Sequence, residues 1–444
     1  MKLFTHTLFF LFLITQLCFT QWYQQNSGTT KNLHAVHFID ENNGWAVGDS
    51  GTILKTTNLG NNWILQTSGT TLNLCDIQFI DANIGWVVGG SPDSLGLPIP
   101  IILKTTNGGT SWFQQMSDTT FYPRAVFFID ANIGWVVGGS YDSQGRDIPN
   151  ILKTTNGGIN WTSKSVPTTI SLNDVQFINT AIGFLTAGHD EFTSSGGILK
   201  TTDGGDTWIN QLVDSTVFYS ALSFFDELNG IVTGHSHPSL MFYTGLIFRT
   251  TDGGINWEPS FSSIFTRITG VTSAGLGYTW AIEEPAVTPG LSRILYSSDK
   301  GVNWSEQVAF QSDSMWLESI FCIDSITGWA IGYKGAIFHT TNGGVSFVEE
   351  EQINELPIEF LLSQNYPNPF NPITKLKYSI PQSLQVLIKV FDALGNEIET
   401  LVNEEKSIGT YEFTWNATIL PSGVYFYQLK AGSFVETKKM ILLK

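Results

Sequence analysis

Short runs in which apolar and polar residues alternate recur along most of the chain, as in HAVHFID (34–40) and DVQFIN (174–179). After each comes a compact apolar phrase built around a glycine: NGWAVG (43–48), IGWVVG (84–89 and 133–138), IGFLTAG (182–188), NGIVTG (229–234), LGYTWAI (276–282) and TGWAIG (327–332). A third phrase closes the unit: KTTNLGNNW (55–63), KTTNGGTSW (104–112), KTTNGGINW (153–161), KTTDGGDTW (200–208), RTTDGGINW (249–257), YSSDKGVNW (296–304) and HTTNGGVSF (339–347). The period of two, the β-branched and aromatic content and the Gly/Asn/Asp punctuation predict four strands per unit. They are A (HAVHFID), B (GWAVG), C (TILKTT) and D (NWILQ). No segment of this region has a helical period.

The Asn/Asp positions of the closing phrase are 58, 107, 156, 203, 252, 299 and 342, so the steps are 49, 49, 47, 49, 47 and 43 residues. A fixed period of this size marks a repeat architecture. Four short strands repeated seven times predict an all-β fold, a seven-bladed β-propeller.

The closing phrase looks at first like a Gly-rich phosphate loop, but it lacks the Gly-Lys-Ser/Thr ending and the helix that such a loop needs. As a turn it is self-sufficient. The Asn/Asp side chain can bond its own turn backbone, the glycine two residues later permits positive φ, and the final Trp or Phe anchors the turn between strands. The pattern S/T-x-D/N-x-G-x-x-W/F resembles the Asp-box of sialidases and sortilin-type receptors, where it is a structural turn. The whole repeat also resembles the photosystem II assembly and stability factor family over residues 21–350. That resemblance implies a propeller that binds a protein partner and is not an enzyme. The family's basic surface has no counterpart here.

Charge separates the chain into two parts. Residues 21–357 hold 31 Asp/Glu against 13 Lys/Arg, whereas residues 358–444 hold 8 of each. An acidic propeller is a poor partner for nucleic acid, whose phosphates need clustered Lys and Arg. The first residues, MKLFTHTLFFLFLITQLCFT, have the lysine, the apolar run and the short residues of a secretory signal peptide, here residues 1–20. No later run is long enough to span a membrane. Of the remaining cysteines, Cys75 and Cys322 fall in strand A of non-adjacent blades and are expected to be free, small hydrophobes.

The repeat ends at Phe347, and an acidic linker follows, residues 351–357. Beyond it, strands separated by Pro, Gly and Asn turns predict a small Ig-like β-sandwich over 358–444. YPNPFNP (366–372), LIKVFDALGNEI (387–398), SGVYFYQL (422–429) and the closing KKMILLK (438–444) resemble, in order, the C-terminal sorting domain of type IX secretion cargo. The resemblance implies passage through the outer-membrane type IX machinery, processing by a sortase-like protease, and a secreted or cell-surface protein.

The expected function is therefore binding of a protein or glycan, with no cofactor and no metal. His189, His235 and His237 stand in loops without a fixed third ligand. The alternative is a secreted glycoside hydrolase, sialidase-like or xyloglucanase-like. It needs two carboxylates across a cleft, for which Asp190, Glu191, Glu283 and Glu284 are the candidates. Against a sialidase, the chain has only five arginines and no F/Y-R-I-P motif.

Loop length points to the binding face. Between strands B and C, blade one has only GDSG and blade seven GYKG, whereas blades two to six carry insertions. Loops on a rigid scaffold are where binding resides. The candidate binding residues are Arg124, Tyr141, Asp142, Arg146, His189, His237, Tyr243 and Arg267, with Phe192 beside them. The residues opening strand A, namely His34, Cys75, Arg124, Asn173, Ser220, Arg267 and Glu318, are expected to ring the channel mouth. Finally, WYQQNSGTT (22–30) imitates strand D and its exit, so it is expected to close the ring against blade seven.

Overall fold

The computed structural model describes residues 22–115, 121–189, 195–239, 242–275, 277–286, 291–311, 316–344 and 359–444. The expected leader and linker lie outside these. The chain divides into two compact units, residues 1–346 and 347–444.

The first unit is a seven-bladed propeller of four-stranded antiparallel sheets. In the order A to D, blade one is Leu33–Phe38, Gly44–Gly48, Thr52–Thr56 and Ile64–Gln66. Blade two is Leu74–Phe79, Gly85–Pro92, Pro98–Thr105 and Phe113–Gln114, and blade three is Tyr122–Phe128, Gly134–Tyr141, Asp147–Thr154 and Thr162–Lys164. Blade four is Leu172–Phe177, Gly183–His189, Ser195–Thr201 and Ile209–Asp214, and blade five is Val217–Phe224, Gly230–Ser239, Phe242–Thr250 and Glu258–Ile264. Blade six is Thr266–Ala274, Tyr278–Pro285, Leu291–Ser297 and Ser305–Gln311. Blade seven has Leu317–Cys322, Gly328–Gly332 and Ile337–Thr340, and its fourth strand is Tyr23–Gln25 from the other end of the chain. Ring closure thus takes the form expected of the N-terminal segment, with Tyr23, Gln24 and Gln25 paired to His339, Phe338 and Ile337.

The repeated aromatics meet between blades. Trp45 of strand B in blade one stacks on Phe79 of strand A in blade two (centroids 3.6 Å, planes 9° apart), and Phe79 meets the box residue Trp112 edge-on at 5.9 Å. The same triplet recurs as Trp86–Phe128–Trp161 and Trp135–Phe177–Trp208. The edge-on pairs suit the ring quadrupole, and the near-parallel stacks bury large apolar faces between blades. Cys322 takes the place of that phenylalanine in blade seven, packed and buried, which is the role expected of it.

Each Asp-box is the predicted turn. In blade two, Gly109 N–H donates to Thr105 Oγ1 (2.9 Å) and Ser111 N–H to Asn107 Oδ1 (2.9 Å). Gly109 has φ +87°, and the preceding Gly108 is left-handed too, at +67°. Leu59 and Lys300 take that position at +62° and +60° in the boxes that lack the first glycine. The repeat lysine, unassigned from sequence, fastens neighbouring blades. Lys55 Nζ and Trp45 Nε1 both donate to the carbonyl of Gly108 in the next blade's box (2.9 and 3.2 Å), and Lys104 and Trp86 do the same to Gly157.

The second unit is a β-sandwich. A three-stranded sheet (Leu361–Leu362, Ile373–Ile380, Gly409–Asn416) packs against a four-stranded one ordered Glu397–Lys406, Leu384–Phe391, Gly423–Ala431, Phe434–Leu442. Its core includes Phe370 of the YPNPFNP motif together with Leu376, Tyr378, Val390, Tyr427 and Met440. Phe370 is tied at both sides, its N–H to Ile441 O and its carbonyl to Leu443 N–H (2.9 Å each).

Candidate binding site at the channel mouth

Every strand A contains a bulge at the same level. The register against strand B skips one residue in each blade: His34, Cys75, Arg124, Asn173, Ser220, Thr269 and Glu318. A bulge leaves its extra residue unpaired and re-aims its side chain. All seven line one axial cavity of about 340 Å³. Six of these are the residues expected there. The seventh is a correction: blade six contributes Thr269, not Arg267. Arg267 pairs regularly with Glu284, two residues before the bulge.

The rim is polarised. On one side Arg124 donates to Asn173 Oδ1, and Asn173 Nδ2 donates in turn to Tyr219 O (2.8 Å). On the other, His34 Nε2 meets Asp49 Oδ1 at 2.9 Å. Nearby Glu318 bonds the Tyr333 hydroxyl, and burial pushes the Glu318 carboxyl up despite His34 and Tyr333 pulling it down. Cys75 is part of this rim, not of the core, and burial moves its thiol up to about 11.

Just inside the rim, carboxyls hold blades together. Asp76 accepts from Val126 N–H (2.8 Å) and Ile77 N–H (2.8 Å), and Asp174 accepts from Leu222 (2.9 Å) and Val175 (2.7 Å). Burial raises their pKa values to about 7 and about 6, and the backbone N–H groups oppose it. Glu284 is fastened in the same way: Oε1 accepts from Leu317 N–H (2.8 Å) and Oε2 from Ser292 Oγ (2.9 Å). Its carboxyl rises to about 8, again through burial. Glu283 meets the Arg293 guanidinium at 3.2 Å.

Of the candidate binding residues, only Arg124 lines this cavity. Tyr141 closes strand B of blade three, 49% exposed. The turn beyond it is knit by Asp142, whose Oδ1 accepts from Gln144 and Arg146 N–H (2.8 and 2.9 Å) and whose Oδ2 meets Arg146 Nε at 2.7 Å. The Arg146 N–H, then its side chain, hold that carboxyl below its usual range. Tyr243 and Arg267 come together in blades five and six, the guanidinium 4.2 Å above the ring. His235 lies 5.4 Å from Tyr243 and stacks on Phe218 at 4.9 Å. His189 ends strand B of blade four opposite Ser195, and His237 lies in strand B of blade five. Phe192, Asp190 and Glu191 fall outside the described residues.

Residues 364–443 match the family model described as the secretion system C-terminal sorting domain, and residues 14–115 and 65–215 match that of the photosynthesis system II assembly factor YCF48. The propeller resembles YCF48, and the tail is a sorting domain. A sequence search of curated proteins gives no match. Among solved structures, YCF48 bound to D1 peptide aligns over 72% of this chain and 97% of its own, with 19% identity and a TM-score of 0.53. YCF48 from Cyanidioschyzon merolae aligns over 72% and 98%, at 19% identity and a TM-score of 0.52. The GH74 xyloglucanase from Xanthomonas campestris aligns over 80% of this chain and 59% of its own, at 12% identity and a TM-score of 0.56. At such identities the likeness is one of fold. The sorting domain indicates export by type IX secretion to the cell surface or beyond. Among the described residues, no helix is long and apolar enough to cross a membrane.

Proposed function

We propose that the exported propeller is a binding platform, not an enzyme, and that a protein or glycan docks on the face carrying the B–C connections and the channel mouth. The observation that carries this is the contrast within each blade. Boxes and most of the inter-blade stacks repeat, while the bulge at the rim presents seven side chains of six chemical kinds. A scaffold that only had to fold has no need of that variety where a ligand would meet it. The YCF48 structure with D1 peptide supports the reading, since it is a similar fold holding a peptide. The hydrolase alternative loses its two described carboxyls to the scaffold, because Glu284 has protein donors on both oxygens and Glu283 is bound to Arg293.

In this reading residues 1–20 are the leader, 21–350 the propeller, 351–357 the linker and 358–444 the address read by the outer-membrane machinery and a sortase-like protease. A chain ending at Pro357 is expected to stay in the periplasm; its efficient appearance in the medium would refute the address. The mature chain is to be screened against glycan and surface-protein panels. Saturable binding without turnover is expected, and cleavage of a glycan would replace this proposal with the hydrolase reading.

A further inference from the structure

Blades two and three differ from the others in how strand C is covered. In blades four to six strand D runs along most of strand C, as in Ile209–Asp214 pairing with residues 196–200. Among the described residues of blades two and three it covers less: Phe113 and Gln114 pair with Lys104 and Leu103, Gln115 N–H donates to Ile102 O (2.8 Å), and Thr162–Lys164 pair with residues 151–153. Above those points strands B and C continue as two-stranded ribbons, so the insertions that read as loops are largely strand. Their tips are tight turns, closed by Asp93 N–H to Leu97 O (2.8 Å) and Asp142 N–H to Arg146 O (2.9 Å).

Among the described residues nothing pairs with the outer edge of these ribbons, and an open edge invites another chain. Proline closes it. Gly90 donates its N–H to Asn73 O, just before strand A, so its partner Pro100 faces away from strand B, and Pro98 has the same parity. Pro149, opposite Gly139, is the equivalent in blade three. Proline has no N–H to offer. Among the described residues, no other strand C of the propeller contains a proline.

The backbone is guarded, yet the side chains stay apolar. Leu95, Leu97 and Ile99 are 82%, 59% and 42% exposed, and Tyr141 and Ile148 49% and 42%. A ribbon shaped only against aggregation would carry charges at these positions as well. The turns instead place Asp93, and Asp147 beside the paired Asp142 and Arg146, next to the apolar residues, on a propeller of net charge −18. We infer that the twin ribbons are a docking surface for a protein segment that presents aliphatic or aromatic side chains flanked by Lys or Arg. The segment is read through side chains and charge, not by strand addition. This inference rests on the platform reading and narrows it to a protein partner.

The test is to pan a random displayed-peptide library on the whole mature chain. Enriched peptides should combine aliphatic or aromatic residues with Lys or Arg, and bind more weakly as salt is raised. Ile99→Asp with Ile148→Asp should weaken them about tenfold or more. Ile209→Asp, on the outer strand of blade four and 60% exposed, should leave them unchanged. Melting curves check that each variant is folded, and Leu97→Asp serves as a second ribbon variant. Peptides that bind the ribbon variants as well as the parent remove the ribbon site and leave the platform reading standing. Acidic enriched peptides overturn the charge assignment. A chain that enriches no peptide but turns over a glycan overturns both.

Discussion

Blade three is built from one stretch of chain, Tyr122 to Lys164, whereas blade seven takes its outer strand from residues 23–25. Their interiors are made alike. Trp135 stacks on Phe177 of the following blade at 3.5 Å, and Trp329 stacks on Phe38 at 3.5 Å. Their fastenings differ. Where the boxes of blades two to five receive a lysine from the preceding blade, the box of blade one receives the amide of Gln25, whose Nε2 donates to Leu59 O at 2.8 Å. The lysine position of blade seven is His339, fully buried, stacked on Trp329 at 4.5 Å and bonded through Nδ1 to Tyr23 and Gln25. Their tops differ too: a proline-guarded ribbon in one, the short turn Tyr333–Gly335 in the other. The comparison teaches that inter-blade stacking tolerates either chain connectivity, because it depends on which rings meet. The seam is fastened by an amide in place of the repeat lysine, as is the joint between blades six and seven, where Gln307 Nε2 donates to Gly343 O and the lysine position is Tyr296.

The comparison can be broken at several strengths. Removing residues 22–25 deletes the closing strand and the buried Trp22, and should cost more than any single substitution here, abolishing one cooperative transition in denaturant; a truncated chain that unfolds like the parent would show that closure is unnecessary. Next, Trp135→Ala and Trp329→Ala should each cost about 3–5 kcal/mol. If the interiors are equivalent, the two losses agree; a much smaller loss at Trp329 would mean the seam is already loose. Gly158→Ala puts a side chain at φ +89° in the blade-three box and should cost roughly 1–3 kcal/mol, read from the denaturation midpoint.

Acid should loosen the seam more than the corresponding strand of blade three. Burial lowers the His339 pKa to about 4 from an ordinary 6.5. A lowered histidine contributes stability above its unfolded pKa and loses it as pH falls through the folded one, so the loss runs from about pH 6.5 down to about 4. Hydrogen exchange at Ile337–Thr340 should quicken over that window more than at 151–153, the corresponding strand of blade three, which carries no histidine. Equal quickening would place the acid sensitivity elsewhere. Smallest of all, replacing the blade-three ribbon with GDSG should change stability by less than about 1 kcal/mol, since loop closure depends weakly on length. A large loss of melting temperature would make the ribbon structural.

Much of this was legible in the residues. The seven boxes, the blade count and the closing N-terminal strand follow from local spacing, and the sorting tail from its resemblance to a known family. The candidate site was read less completely. Arg124 and five other rim residues were found by counting back along strand A, but in blade six that count stopped at Arg267 when the bulge lies at Thr269. A bulge is a property of two paired strands, and no single strand shows where the register slips. The ribbon prolines were visible, but their parity relative to strand B was not.

What the amino-acid sequence determined by itself was therefore what a few neighbouring residues can enforce: turns closed by Asn/Asp and Thr over two left-handed positions, strands from alternation, and the number of repeats. The tertiary structure alone decided what depends on partners 34 to 53 residues apart. Trp45 with Phe79, Lys55 with the Gly108 carbonyl and Gln25 in place of a lysine at the seam are contacts between blades. The ring of seven unlike side chains at the channel mouth exists only once the blades close around an axis, because closure brings bulges from distant segments to one level.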